Sequence, residues 1–117
     1  TYEEDFYVYA FSKSLLSRAN RPTAIICYND KTAIKVNKVA KELGLRIPED
    51  LSIVGYDNDE TISQILDYGI TTINHPKEEM GKKAAEMLVS LINKEVDNVN
   101  YVYEPMIVEK DSVKNIN

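Results

Sequence analysis

Three short polar clusters hold the side chains of this chain that could do chemistry: Asn29 with Asp30, Asp57 with Asn58 and Asp59, and Asn74 with His75. Each closes an apolar run, PTAIICY before the first, LSIVGY before the second and ITTI before the third. Grouped carboxylates and amides suit vicinal hydroxyls, because a carboxylate accepts several hydrogen bonds and an amide offers both donors and an acceptor. Helix capping competes with that reading, since Asn and Asp are favoured at the N-cap. A cap needs one such residue. Capping accounts for Asn29 or Asp30, but leaves a surplus in the run Asp57, Asn58 and Asp59.

The runs before these clusters are what must position them. In IPEDLSIVGYDND, Pro48, Glu49 and Asp50 give a turn signal, and Leu51 to Gly55 then runs without polar alternation until polarity returns at Asp57. A strand covered on both faces reads this way, and in open parallel sheets the carboxyl ends of such strands present ligand-binding groups. Neighbouring strands lie about 4.8 Å apart, so a small polyhydroxylated molecule could touch two or three of the clusters at one sheet edge.

Around these strands the pattern alternates. Apolar Phe6, Tyr9, Leu16 and Ala19 predict a first helix over Glu3 to Ala19, with Ser12, Lys13 and Arg18 on its wet side, ended by Arg21 and Pro22. Thr23 to Tyr28 reads as a strand. Thr32, Val36, Val39, Ala40 and Leu43 give a second helical stripe that Gly44 terminates. A short helix to about Asp67 precedes a strand from Ile70 to Ile73. Pro76 at the first helical position opens a third helix to Asn93, with Met80, Ala84, Met87, Leu88, Leu91 and Ile92 as its stripe. Tyr101 to Glu109 reads as a last extended segment in which Pro105 restricts pairing, and Lys110 to Asn117 as a tail with little to hold it. This alternation predicts an α/β fold, a mostly parallel sheet with helices on both faces and right-handed crossovers.

Composition narrows the function. The 117 residues fit one domain and a real core. Fourteen basic against nineteen acidic residues, net −5 and without a basic stripe, argue against a grip on a phosphate backbone by this piece. A single cysteine, Cys27, excludes disulfide and zinc frameworks and fits a reducing compartment. No run is long enough to span a membrane, and the acidic first residues do not read as a signal peptide. A start at Thr1 without methionine, on what reads as helix, suggests a piece of something longer.

Enzyme readings find less support. Gly44, Gly55, Gly69 and Gly81 are isolated, so there is no glycine-rich phosphate loop, and no cofactor is implied. Cys27 lies inside a strand, where a buried thiol acts as a small hydrophobe, and His75 has no nucleophilic partner apparent in sequence. A phospho-acceptor fold holding magnesium through Asp30 and Asp57 with Lys77 nearby needs an adjacent acidic pair on the first strand, which AIICYND lacks.

In order and spacing, PTAIICYNDKTAIKV, IPEDLSIVGYDND, ITTINHPKEEMGKKAAEML and YEPMIVEKDS resemble the C-terminal part of lactose-repressor-type, sugar-responsive transcription regulators. Within that group CYND, GYDN, HPKEEMG and EPMIVEKDS resemble the arabinose-responsive branch. The resemblance covers about Pro22 to Ser112. It implies that residues 1–117 are a fragment of a sugar-effector-binding domain, mainly its C-terminal subdomain, with 76–117 as last crossover helix and terminal strand. It further implies ligand contacts from Asn29, Asp57 and His75, although the family often has glutamine at the last. The implied whole is a cytoplasmic homodimeric repressor, not an enzyme, that meets operator DNA through an N-terminal domain absent from this chain and senses a sugar, a pentose such as L-arabinose first. Half of a periplasmic-type sugar-binding transport protein is the rival.

Overall fold

A computed structural model of the chain describes residues 2–62 and 65–117. Its elements in order are α1 (Tyr2–Leu16), β1 (Ala24–Ile26), α2 (Asp30–Glu42), β2 (Ser52–Tyr56), β3 (Thr71–Asn74), α3 (Lys77–Ile92) and β4 (Met106–Val108). The four strands form one sheet in the order β1-β2-β3-β4. Ile25 lies opposite Ile53, and Gly55 opposite Thr72, in two parallel pairings. The mixed α/β architecture with a mostly parallel sheet is therefore as the apolar runs predict. The chain divides into two compact units, one made of the residues up to Asn74 with Ile107–Asn117, the other of His75–Met106.

The core of the first unit joins Leu16, Cys27, Ala33, Val36, Val39, Ala40, Leu51, Ile53 and Ile70. Full burial of one such large aliphatic side chain contributes roughly 1.5–3 kcal/mol. On β2 burial alternates, with Ile53 and Gly55 buried and Val54 only half-covered, because α2 packs on one face. Helix α2 follows its stripe and its stop signal. Gly44 takes φ 72°, Gly44 N donates to Lys41 O at 3.0 Å and Leu45 N to Ala40 O at 2.9 Å, the paired bonds of a Schellman motif.

Several local expectations need correction. Helix α1 ends at Leu16 rather than Ala19, and its buried side is Ser12 and Leu16, whereas Phe6 is 61% exposed. Of the expected stripe, Leu16 lies in the core and Tyr9 packs against it, while Ser12, placed on the wet side by its polarity, is buried. Pro76 is the N-cap of α3 and not its first helical residue. Of the segment Tyr101 to Glu109 only Met106–Val108 is strand. The short helix read after Asp59 includes Ser63 and Gln64, which lie outside the described residues. The tail is held at its first half: Ser112 is fully buried, its hydroxyl donates to Ile53 O at 2.5 Å, and it accepts from Thr71 N at 2.8 Å.

Candidate functional site

Strands β1 and β2 run parallel, so the residues after Ile26 and after Tyr56 emerge on one edge of the sheet. The ladder continues past β1, with Cys27 N donating to Val54 O at 2.7 Å. Cys27, Tyr28, Tyr56 and Asp57 line a concavity of about 400 Å3 there. A carboxylate beside two aromatic rings combines an acceptor for hydroxyl donors with flat apolar faces, a pairing suited to a small ring-shaped polar ligand.

Asp57 is half-buried and its N donates to Ile73 O at 2.9 Å, which pins the end of β2 to β3. It has φ 99°, and Asn58 has φ 47°. Residues other than glycine in these regions cost on the order of 1–3 kcal/mol each and persist only where their surroundings hold them. Two successive ones at the carboxyl end of the central strand mark a backbone shaped for something other than stability.

What holds them comes from α2. Asp30, 4% exposed at the first position of the helix, accepts from Asp59 N at 2.8 Å and from the Thr72 hydroxyl at 2.7 Å. Thr72, fully buried, accepts in turn from Asn58 N at 3.2 Å. The positive end of α2 suits a buried carboxylate there. Such a charge is tolerated in a core only when hydrogen-bonded, as this one is.

Asn29 is the N-cap of α2, its Oδ1 accepting from Thr32 N at 2.8 Å. The cap occupies the amide oxygen, which leaves the Nδ2 group as the donor Asn29 can offer a ligand. Of the three residues singled out in sequence, Asn29 and Asp57 thus follow adjacent strands at the same sheet edge. His75 is the first residue of the second unit and its carbonyl accepts from Lys77 N at 2.8 Å. Sequence reasoning missed Tyr28 and Tyr56, although each directly precedes a cluster it had marked, and it missed Thr72.

The Cys27 thiol is held well above its ordinary value of 9.0, at about 12, by burial and then by the nearby negative charge of Asp30. It is a packing group at the floor of the site and not a nucleophile. Among the described residues no group of three His, Cys, Asp or Glu side chains is placed to hold a metal ion. No helix among them is long and apolar enough to cross a membrane.

Polar groups gathered at the carboxyl ends of parallel strands stand where open α/β domains bind their ligands. The chain belongs to the periplasmic binding protein-like domain family, whose model it matches over residues 2–113. It is 44% identical over 101 residues to the arabinose metabolism transcriptional repressor of Geobacillus stearothermophilus, covering 85% of this chain and 28% of that protein. It is 42% identical over 117 residues to the HTH-type transcriptional repressor PurR of Vibrio vulnificus, covering 99% of this chain and 34% of that protein. The crystal structure of a LacI family transcriptional regulator from Bifidobacterium animalis superposes with a TM-score of 0.82 at 33% identity, over 93% of this chain and 40% of that one. The lactose-repressor-type resemblance of the sequence is thereby borne out, and the chain spans about a third of the length of the curated relatives it matches.

Proposed function

We propose that this chain is part of the effector-binding domain of a transcriptional repressor and that its effector is a sugar, L-arabinose first. The observation that carries the proposal is Asp57, presented by a strained backbone at the carboxyl end of the central strand beside Tyr28 and Tyr56. A carboxylate there accepts from vicinal hydroxyls, and charge-assisted bonds of this kind contribute roughly 1.5–3 kcal/mol each. The Asn29 amide nitrogen adds a donor, and His75 a third contact. The 44% identity to an arabinose metabolism repressor supports the choice of sugar.

In this reading the chain supplies mainly the C-terminal subdomain, and the repressor is a cytoplasmic homodimer that contacts its operator through a separate DNA-binding domain. The domain is a binding module, not an enzyme. The sugar acts by binding one arrangement of the protein more tightly than another, the only way a ligand can shift an operator-binding population.

Calorimetry of the intact protein with L-arabinose and, separately, with a purine base tests the reading. Saturable binding of arabinose that weakens operator binding upholds it. Binding of the purine base with no response to arabinose overturns the sugar assignment.

A further inference from the structure

The Asp30 carboxylate is buried, and both amides that follow Asp57 depend on it. Asp59 N donates to Asp30 Oδ2 directly, and Asn58 N reaches Asp30 Oδ1 through the Thr72 hydroxyl, which accepts the first bond and donates the second. The two bonds flank Asn58, the second of the left-handed pair Asp57 and Asn58, while Asp57 N is held separately by Ile73 O. The restraint joins residues distant in sequence. Its members come from the start of α2, the middle of β3 and the loop after β2, 42 residues apart at the widest.

We propose that Asp30 and Thr72 form a latch that positions Asp57 for the effector, Asp30 being a positioning residue that acts through the backbone of residues 57–59. Helix capping does not explain this carboxylate, because Asn29 already provides the cap. A core role does not explain it either, since a packed apolar side chain would fill the same volume without a desolvated charge. Threonine at 72 is required for its hydroxyl: only a group that accepts and donates at once can pass the restraint from Asn58 to Asp30. The ligand arm of the test rests on the sugar-effector reading above, whereas the backbone arm does not.

The experiment compares the intact wild-type protein with Thr72→Val, which keeps the shape and removes the hydroxyl, Thr72→Ser, which restores it, and Asp30→Asn. Amide hydrogen exchange at Asn58 and Asp59 is read without ligand, and L-arabinose affinity by calorimetry. Thr72→Val and Asp30→Asn are expected to speed exchange at these two amides by about tenfold or more while sparing Ile53 and Val54, and to weaken arabinose by a similar factor. Thr72→Ser is expected to match wild type in both readings. Unchanged exchange in Thr72→Val and Asp30→Asn overturns the latch. Faster exchange with unchanged arabinose affinity overturns its positioning role. If wild type does not bind arabinose, the sugar reading fails and the exchange arm alone decides the latch.

Discussion

A methyl group on Gly55 would stand 2.0 Å from Asp30 Oδ1 and 3.2 Å from the Asp30 Cα. The glycine is needed here for clearance and not for its backbone angles. It lets the first turn of α2 settle onto β2, with Gly55 and Thr72 side by side in register beneath the carboxylate. Gly55→Ala should therefore push Asp30 off both of its partners and destabilise the protein by about 2–4 kcal/mol. Gly81→Ala, in the exposed middle of α3 with open space around it, should instead raise stability by about 0.5–1 kcal/mol. Denaturant unfolding of the two variants checks both signs, and a neutral Gly55→Ala would show that the carboxylate can move without loss.

At Asn29, cap and ligand contact can be separated. Asn29→Asp keeps the oxygen that accepts from Thr32 N and exchanges the amide nitrogen for a second acceptor. Unfolding stability should stay within a few tenths of a kcal/mol, since Asn and Asp cap about equally well. Arabinose affinity of the intact protein should nevertheless fall about tenfold if the Nδ2 group is a donor to the sugar. Equal loss of stability and affinity would assign Asn29 to the helix alone.

Asp57→Asn carries the corresponding expectation for the central strand. It preserves size while removing the charge that strengthens bonds from hydroxyl donors, so arabinose affinity should drop about tenfold or more. Unchanged calorimetric affinity would remove Asp57 from the site.

Much of this was legible in sequence where the signal is local. The apolar run ending at Gly55, the α2 stripe with Gly44 as its stop, and Asn29 as a capping type all follow from neighbours within a turn or a strand. What failed was not local. Asp30 reads as one more polar residue in YND, and only the fold brings Thr72 and Asp59 to it. Ser112, in a tail that reads as loose, is buried because it spans the backbones of β2 and β3. In α1, Leu16 and Tyr9 of the expected stripe pack on the core, but Phe6 is exposed and Ser12, which reads as wet, is buried, so hydrophobicity marked only part of the packed side.

Cys27 gives a prediction in pH. Its folded value of about 12 lies above the ordinary 9.0, so the neutral thiol contributes stability that is fully present below about pH 9. That contribution is lost as pH rises from 9 toward 12, because the unfolded chain ionises first, at up to about 1.4 kcal/mol per pH unit. Urea midpoints of the wild type should therefore fall more steeply across this window than those of Cys27→Ala. Native protein near neutral pH should also react with a thiol reagent far more slowly than the unfolded chain. Rapid native labelling would contradict the buried position.

The second unit carries the remaining prediction. Helix α3 has no buried residue, and Met80, Leu88, Val89 and Ile92 are 40%, 57%, 55% and 69% exposed. Beside it Tyr101 and Tyr103 pack on each other at 4.8 Å between ring centroids, and the Tyr103 hydroxyl donates to Glu79 O at 3.2 Å. The pair of rings extends the apolar surface of the helix, and together with Val99 they border a groove of about 350 Å3. Contiguous exposed apolar surface drives association in water at a gain proportional to the area covered. The isolated 117-residue chain should thus gain mass with concentration in light scattering. Leu88→Lys with Ile92→Lys should suppress that gain and leave the helix intact, because both positions are exposed and lysine is a good helix former. A wild-type chain that stays monomeric at high concentration, or association that survives the double substitution, would place the driving surface elsewhere.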